Sequence, residues 1–372
     1  MAERVLIAGY YGFGNLGDEA LLLALSRKLR ECLSAVTPVV LSQEPPRTAT
    51  EYGVEAINRW NLFRIWQELG RARLFLLGGG GLLQDTTSLR SALYYLGLLR
   101  LARLRKVPAF LLGQGIGPLR RRSVRRLAVR ELKRAEYVMV RDELSLKLLQ
   151  GWEADRGQLV RGHDLALSLT LEVPTKERRA LLAVSLREPS KPERKRFIAE
   201  LAAALDEAHR RFGLRPTFFP LYPREDRRLA EEVRRAMSAE SLVIDLAGLP
   251  IVEALMLLGQ ARLMVGMRLH ALEFALLARV PFLALSYDPK VEEFARAVER
   301  VTELEIPLLS AMEVTPELLL AGLGRLWENE TEYWAKLAPA ASKLRELADA
   351  ALEEACQRMA KALEARKAKR KR

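Results

Sequence analysis

Residues 5–20 read VLIAGYYGFGNLGDEA, and this stretch decides the class of fold. Residues 5–8 form a short apolar run that predicts a strand. A loop with spaced glycines follows, and the apolar residues of 20–33 recur at the spacing of an amphipathic helix. A strand that passes through a glycine loop into a helix opens a β-α-β series, which predicts a parallel sheet covered by helices.

The same alternation continues along the chain in two sets. Short apolar runs predict further strands over 39–41, 74–77, 109–112 and 137–140, and then over 181–186, 217–219, 242–244, 263–265 and 281–285. A charged, proline-containing break near 172–179 separates the sets. We therefore expect an α/β fold with two Rossmann-like domains facing a cleft, over 1–172 and 180–335, followed by a C-terminal helix and basic tail over 336–372.

Composition excludes several classes of protein. The 372 residues suggest two domains, and 49% hydrophobic residues exclude disorder across the whole chain. Two cysteines, Cys32 and Cys356, exclude a disulfide scaffold and a cysteine-based zinc site. With three histidines in the chain, we expect no metal. Reduced cysteines and the lack of an export signal or spanning segment predict a cytoplasmic location.

The net charge of +13 divides between tail and body. Residues 361–372 hold seven cations and one anion, so they contribute +6, and the remaining residues carry +7. A basic body is compatible with nucleic acid, an anionic membrane or a phosphorylated substrate. A solubilising surface is the alternative.

The first loop contains Gly12, Gly14 and Gly17 in the GxGxxG pattern of dinucleotide sites. Asp18 and Glu19 stand at the start of the following helix, where they would repel a pyrophosphate, so an NAD-dependent dehydrogenase is the weakest enzyme alternative. Asp18 is then either an acid or base in the cleft or a residue that stabilises the helix N-terminus through its dipole.

Two further glycine loops follow the third and fourth predicted strands, over 78–81 and 113–118. Glycines permit positive φ and close backbone approach, so their N–H groups can hold an anion or a sugar. The residues of the three loops that we expect at the acceptor are Gly14, Asn15, Gly17, Gly79, Gly80, Gly81 and Gln114.

Four side chains after later strands predict a cationic pocket. Arg141 follows the fifth strand, Arg268 and His270 open a helix after a strand and a glycine, and Lys290 follows the next strand. A helix N-terminus and an arginine fork bind phosphate or carboxylate, and a histidine can exchange a proton near neutral pH. The pocket suits a small, multiply charged anion. Stacking aromatics are not interleaved with these cations, so we expect no nucleic acid.

Each of these assignments has an alternative. Arg141 could form a surface pair with Asp142 or Glu143, which would contribute little. His270 could be a half-buried residue that caps a turn. Arg187, after the first strand of the second set, is a weaker candidate of the same kind.

Together these motifs resemble the polysaccharide pyruvyl transferase family, and most closely its CsaB-type members. The matching segments are 10–20, 78–81, 113–118, 140–142, 268–270 and 287–290. The resemblance implies a GT-B-like fold and transfer of pyruvate from phosphoenolpyruvate onto two hydroxyls of one sugar, as a cyclic ketal. In CsaB-type proteins the acceptor is a secondary cell-wall polysaccharide precursor, whose pyruvylated form anchors S-layer proteins.

The resemblance implies that Arg141, Arg268, His270 and Lys290 hold phosphoenolpyruvate, with no cofactor. Our hypothesis makes His270 the acid, or the group that steadies the leaving phosphate, and Asp18 the base on the sugar hydroxyl. The acceptor would be a lipid-linked saccharide, and the basic tail would hold the enzyme at the anionic inner face of the membrane. Two alternatives remain: a GT-B glycosyltransferase using a nucleotide-sugar, and a non-enzymatic protein that binds polyanions or membranes.

Overall fold

A computed structural model describes residues 3–33, 35–86, 88–170, 179–189 and 191–371. The chain divides into two compact units: unit 1 comprises Met1–Ser168 and Arg345–Arg372, and unit 2 comprises Leu169–Leu344. Most of the predicted break near 172–179 lies outside the described residues. The division between the units follows Ser168, and the C-terminal segment expected as a separate extension from residue 336 is shared between them.

Unit 1 is built on a parallel sheet whose described strands run in the order β3-β2-β1-β4-β6-β7-β8, with β5 paired to β6. The strands are β1 (Glu3–Tyr11), β2 (Val36–Ser42), β3 (Glu55–Asn58), β4 (Ala72–Leu77), β5 (Gly80–Leu83), β6 (Ala109–Ile116), β7 (Tyr137–Val140) and β8 (Leu159–Arg161). The helices are α1 (Leu16–Cys32), α2 (Pro45–Tyr52), α3 (Leu62–Arg71), α4 (Leu89–Leu104), α5 (Arg122–Leu132) and α6 (Glu143–Gly151), followed by a 3-10 turn over Leu165–Ser168.

Unit 2 has a second parallel sheet, with its described strands in the order β11-β10-β9-β12-β13-β14. The strands are β9 (Leu181–Ser185), β10 (Arg215–Phe218), β11 (Leu242–Val243), β12 (Leu263–Gly266), β13 (Phe282–Ser286) and β14 (Leu308–Ser310). The helices are α7 (Arg194–Phe212), α8 (Pro223–Ala236), α9 (Ile251–Leu258), α10 (Leu269–Leu277), α11 (Pro289–Thr302), α12 (Pro316–Glu328) and α13 (Glu330–Lys371).

Buried central strands explain why the main elements were readable from the sequence. Every residue of β6 is buried, as are all residues of β9, β12 and β13. Strands covered by helices on both faces need continuous apolar runs, and such runs are what the sequence shows. The prediction of an α/β fold with parallel sheets in two units and a C-terminal helix is confirmed.

Several short elements were missed. The edge strands β3, β8 and β14 have three or four residues each and no fully buried position, so their apolar runs are too short to indicate a strand. The glycine run predicted as a loop continues into β5, and β6 extends four residues past its predicted end to Ile116. Glycine carries little strand preference, so pairing with a neighbouring strand decides the structure there. Pro339 does not interrupt α13, which runs through it.

The expectation of two reduced cysteines is wrong in this structure. Cys32, the last residue of α1, forms a disulfide with Cys356 of α13, and the two Cα atoms lie 6.1 Å apart. The partners are separated by 324 residues in the chain, so neither spacing nor local pattern could have paired them. The bond joins the C-terminal helix to the first helix of unit 1. Among the described residues, no helix is long and apolar enough to cross a membrane.

Candidate functional site

Each sheet has one point at which the strand order reverses, between β1 and β4 in unit 1 and between β9 and β12 in unit 2. In open parallel sheets, ligands bind beyond the carboxyl ends of the strands at this switch point. The loop after β1 and the glycine run after β4 flank the switch point of unit 1. Arg187 and Arg268 follow the two strands that flank the switch point of unit 2.

The loop after β1 is held by side chains of the helix that it opens. The Asn15 side chain caps α1 by accepting the Gly17 N–H at 3.2 Å. Glu19 accepts the Gly12 N–H at 2.8 Å and the Tyr52 hydroxyl at 3.0 Å. Burial raises the pKa of the Glu19 carboxyl, although both hydrogen bonds oppose the rise. Glu19 therefore shapes the loop from within.

Asp18 lies on the side of α1 that faces the second glycine run. It is 8% exposed, and a Cβ atom on Gly80 would lie 3.0 Å from its Oδ1. The φ of Gly80 is +105°, a conformation that favours glycine. Burial, and secondarily the charge of Asp18, raises the pKa of the Tyr11 phenol well above its usual range. The structure thus brings Asp18 to the unit 1 switch point, beside the glycine run.

The four glycines of the run have different surroundings. A Cβ atom on Gly78 would overlap the hydroxyl of Tyr11, and one on Gly79 would lie 3.2 Å from the Leu21 side chain. These two glycines make room for the protein's own buried side chains. Gly81 is exposed and has no neighbour within 4 Å of its Cβ position. Backbone available to a ligand is therefore found at the end of the run.

We expect Gly78→Ala to destabilise unit 1 by about 1–3 kcal/mol, the usual cost of overpacking a filled site. The overlap is with the Tyr11 hydroxyl, which has no hydrogen-bond partner among the described residues. Adding Tyr11→Phe to Gly78→Ala should therefore recover most of the loss in a urea titration. Gly81→Ala is the matched control and should unfold like the wild type. Equal midpoints for Gly78→Ala and Gly81→Ala would contradict the packing.

Gln114 does not lie in a loop. It belongs to β6 and is fully buried, and its amide donates to the Leu77 carbonyl at 3.2 Å and to the Gly78 carbonyl. Its observed contacts fix the end of β4, from which the glycine run departs. It supports the predicted acceptor loops from beneath.

Arg141 forms a buried ion pair that the sequence did not indicate. Its Nη1 donates to Asp164 at 2.7 Å, and both side chains are at least 95% buried. Asp142, one of its two alternative surface partners, lies 3.5 Å from Nε and caps α6 by accepting the Ser145 N–H. A Cβ atom on Gly115 would lie 2.9 Å from the guanidinium, so this glycine makes room for it. The partner comes from a turn 23 residues further on, which no local pattern reveals.

In unit 2, three adjacent strands bring cations to one edge. Gly266 of β12 is in register with Ser185 of β9 and with Ala284 of β13. Because the strands are parallel, the residues that follow them meet at the same edge. Arg187 follows β9, Arg268 follows β12, and Tyr287 and Lys290 follow β13.

Arg268 is almost buried and already holds carboxylates. Its Nε donates to Asp226 at 2.6 Å, its Nη2 donates to the other oxygen of Asp226, and Nη2 also donates to Glu225 at 3.2 Å. Burial lowers the pKa of the Arg268 guanidinium, but the hydrogen bonds to Asp226 outweigh burial and raise it. This pair fixes the position of the guanidinium. Its Nη1 donates to no described residue.

Arg187 and Tyr287 are the residues that sequence reasoning undervalued. The Arg187 guanidinium lies 4.4 Å from the centre of the Tyr287 ring and makes no ion pair with any described carboxylate. On the same ring, Lys290 Nζ lies 5.9 Å away, and it is 3.4 Å from Asp288. An arginine placed two residues beyond a strand, as Arg268 is, was the available signal.

His270 lies in the first turn of α10. Its ring is 6.2 Å from that of Phe274, and its Nε2 is 3.9 Å from the carboxylate of buried Glu273. No side chain of the described residues caps the N-terminus of α10. Uncapped N–H groups and the helix dipole favour an anion there. The unit 2 edge thus brings together cationic side chains, a helix N-terminus and a histidine.

A sequence model of the polysaccharide pyruvyl transferase family matches residues 15–289. That range begins at the cap of α1 and ends at the start of α11, so it includes the glycine run after β4 in unit 1 and both strands that flank the switch point of unit 2. No match is found among curated proteins.

Solved structures of low sequence identity share the fold. The UDP-GlcNAc 2-epimerase of Neisseria meningitidis, bound to UDP-GlcNAc, has a TM-score of 0.61 at 13% identity, covering 96% of this chain and 100% of that one. A putative UDP-N-acetylglucosamine 2-epimerase of Listeria monocytogenes gives 0.63 at 13%, covering 91% of each. A UGT transferase of Siraitia grosvenorii, in complex with UDP, gives 0.57 at 11%, covering 96% and 99%. The GT-B-like fold expected from the sequence is confirmed.

Proposed function

The chain belongs to the polysaccharide pyruvyl transferase family and is therefore an enzyme that transfers pyruvate, and on this premise we propose that its donor is phosphoenolpyruvate. The acceptor in this proposal is one sugar of a lipid-linked cell-wall polysaccharide precursor, which receives the pyruvyl group as a cyclic ketal. Phosphate is the second product. No cofactor takes part.

The observation that carries the donor assignment is that Arg187, Arg268 and Lys290 follow three adjacent strands at one edge of the unit 2 sheet. Phosphoenolpyruvate has a phosphate and a carboxylate, and both need cationic or N–H partners. The uncapped N-terminus of α10 adds backbone donors at the same edge. Arg268 offers Nη1, and Arg187 is a cation without a described carboxylate partner. In the proposal Arg141 is a further donor-binding cation from unit 1.

Ketal formation needs a proton donor and a proton acceptor. C3 of phosphoenolpyruvate gains a proton and becomes a methyl group while one sugar hydroxyl bonds to C2. The second hydroxyl then bonds to C2 as the C2–O bond to phosphate breaks, and its proton leaves with the phosphate. We assign His270 as the acid, or as the group that steadies the phosphate, and Asp18 as the base on the hydroxyl. The position of Asp18 beside Gly80 and the exposed Gly81 supports an acceptor site in unit 1.

The acceptor class follows the CsaB-type resemblance, so a secondary cell-wall polysaccharide precursor and a role in S-layer anchoring form part of the proposal. A lipid-linked acceptor would bring the enzyme to the inner face of the membrane. The basic tail could contribute to this attachment. Arg366 donates to the Lys106 carbonyl and Lys367 lies 3.8 Å from Glu3, so the start of the tail contacts the N-terminal part of unit 1.

A nucleotide-sugar glycosyltransferase is the alternative, because several structures of this fold have UDP bound. A non-enzymatic binding protein is not supported, since the family is one of enzymes. Thermal-shift measurements with phosphoenolpyruvate, UDP, GDP and NAD separate the candidates. We expect phosphoenolpyruvate alone to raise the melting temperature. Stabilisation by a nucleotide, without any by phosphoenolpyruvate, would contradict the donor assignment.

A further inference from the structure

Besides the basic tail, one segment of unit 1 is strongly basic. Residues 56–130 contain fifteen arginines and lysines and two carboxylates, Glu68 and Asp85. This segment therefore carries +13, the net charge of the whole chain, and the remainder sums to zero. Glu68 and Asp85 are both buried. The surface that residues 56–86 and 88–130 present is thus basic, with no exposed carboxylate of its own.

The same segment exposes large hydrophobic side chains. Six of the twelve exposed large hydrophobics among the described residues lie on or next to α3 and α4. They form what we name the α3–α4 patch: Trp60, Leu62, Phe63, Trp66, Leu93 and Leu104. Phe63 is 69% exposed and Leu62 is 60% exposed. Leu93 and Leu104 are eleven residues apart on one helix, about three turns, so they share a stripe.

Ring contacts show that the patch is continuous across the two helices. The rings of Trp60 and of Tyr94, on α4, are 5.3 Å apart. In the middle of α3, the Trp66 ring has its centre 4.4 Å from the guanidinium of Arg105, which follows α4. The two helices therefore present one surface.

Cations are interleaved with these apolar side chains. Arg64 on α3 and Arg90 and Arg100 on α4 are exposed, and Arg105 covers Trp66. Tryptophan prefers the headgroup level of a bilayer, aliphatic side chains insert beside the acyl chains, and arginine binds lipid phosphate. The patch combines all three preferences on one face.

We propose that the α3–α4 patch docks unit 1 onto an anionic lipid bilayer. Single-stranded nucleic acid would use the cations and aromatic rings but would leave Leu62, Leu93 and Leu104 without a partner. A second copy of the chain would bring two faces of like charge together, which is unfavourable. A bilayer with anionic headgroups satisfies both the charge and the aliphatic side chains.

The proposal deepens the proposed function, because docking would place unit 1 where a lipid-linked acceptor is found. It differs from attachment through the basic tail, since its apolar contacts come from α3 and α4. A test of bilayer docking needs no substrate. Docking can therefore be disproved while pyruvyl transfer is confirmed, and pyruvyl transfer can be disproved while docking is confirmed.

The experiment is co-sedimentation of the full chain with vesicles of phosphatidylcholine containing about 30 mol% phosphatidylglycerol, and with pure phosphatidylcholine. We expect binding to the anionic vesicles. Leu62→Ser with Phe63→Ser should lower the partition coefficient about tenfold or more. The control is the double variant Met312→Ser and Leu318→Ser, which alters two exposed hydrophobic side chains of unit 2 and should bind like the wild type.

Two further variants measure how much the charges of the patch and the basic tail each contribute to vesicle binding. Arg64→Gln with Arg100→Gln should weaken binding to the anionic vesicles, and raising the salt should reduce the difference from the wild type. A chain ending at Glu364 should retain most of its binding. Wild-type vesicle binding by Leu62→Ser with Phe63→Ser would overturn the proposal. So would a loss confined to oligonucleotide binding, or to self-association in sedimentation velocity, in that variant.

Discussion

Replacing Arg268 with alanine is expected to lower kcat/KM for phosphoenolpyruvate by about 10³-fold, because truncating a buried charged partner costs about 2–5 kcal/mol of binding. The variant should also be less stable. Asp226 is fully buried, and its carboxylate would lose both hydrogen bonds from the guanidinium. Breaking such a pair from one side destabilises a protein by about 3–5 kcal/mol.

A second variant separates donor binding from stability. Adding Asp226→Asn to Arg268→Ala removes the buried charge, while the amide oxygen can still accept the Tyr222 N–H that Asp226 now accepts at 2.9 Å. We expect this double variant to regain much of the free energy of unfolding but none of the affinity for phosphoenolpyruvate, measured by calorimetry. A folded double variant with wild-type affinity would show that the donor does not bind at Arg268.

His270→Ala is expected to lower kcat by about 10²–10⁴-fold, the usual contribution of a positioned acid. KM should change far less, since the neighbouring cations and the helix N-terminus remain. The His270 side chain is only 17% exposed, so the free energy of unfolding should be measured as well, to separate lost packing from lost catalysis. Rapid-quench measurement of phosphate release gives both constants.

Two comparisons make the histidine assignment specific. His270→Gln keeps hydrogen bonding but cannot transfer a proton, so we expect turnover as low as in His270→Ala. If glutamine restored turnover, His270 would steady the phosphate, which is the other role we considered. Unchanged turnover in both variants would remove His270 from the chemistry.

Residues that follow buried strands were the most predictable part of the candidate site. The positions of Arg268, His270 and Lys290 followed from a parallel sheet, in which the ends of neighbouring strands meet at one edge. The local sequence shows which residues come after each strand. It could therefore predict which side chains share an edge before the strand order was known.

Ion pairs between residues distant in the chain could not be predicted from the sequence. Arg268 is held by Asp226, 42 residues away, and Arg141 by Asp164, 23 residues away. Tertiary packing determines which residue pairs with a buried charged side chain, and a single sequence does not indicate that partner. The sequence also could not show which glycines accommodate a buried side chain and which expose backbone. Within a single run, Gly78 makes room for Tyr11 and Gly81 faces solvent. The short edge strands were missed because they bury little and their apolar runs span only two residues.

Acceptor-dependent release of phosphate from phosphoenolpyruvate is the most direct test of the central claim. Purified enzyme, phosphoenolpyruvate and a lipid-linked cell-wall saccharide should yield phosphate and an acid-labile saccharide whose mass has increased by pyruvate less water. Neither product should form when the saccharide is omitted. The same result is expected with the double variant that carries both Arg268→Ala and Asp226→Asn. Sugar transfer from a UDP-sugar to the same saccharide, with no phosphate released from phosphoenolpyruvate, would contradict the account.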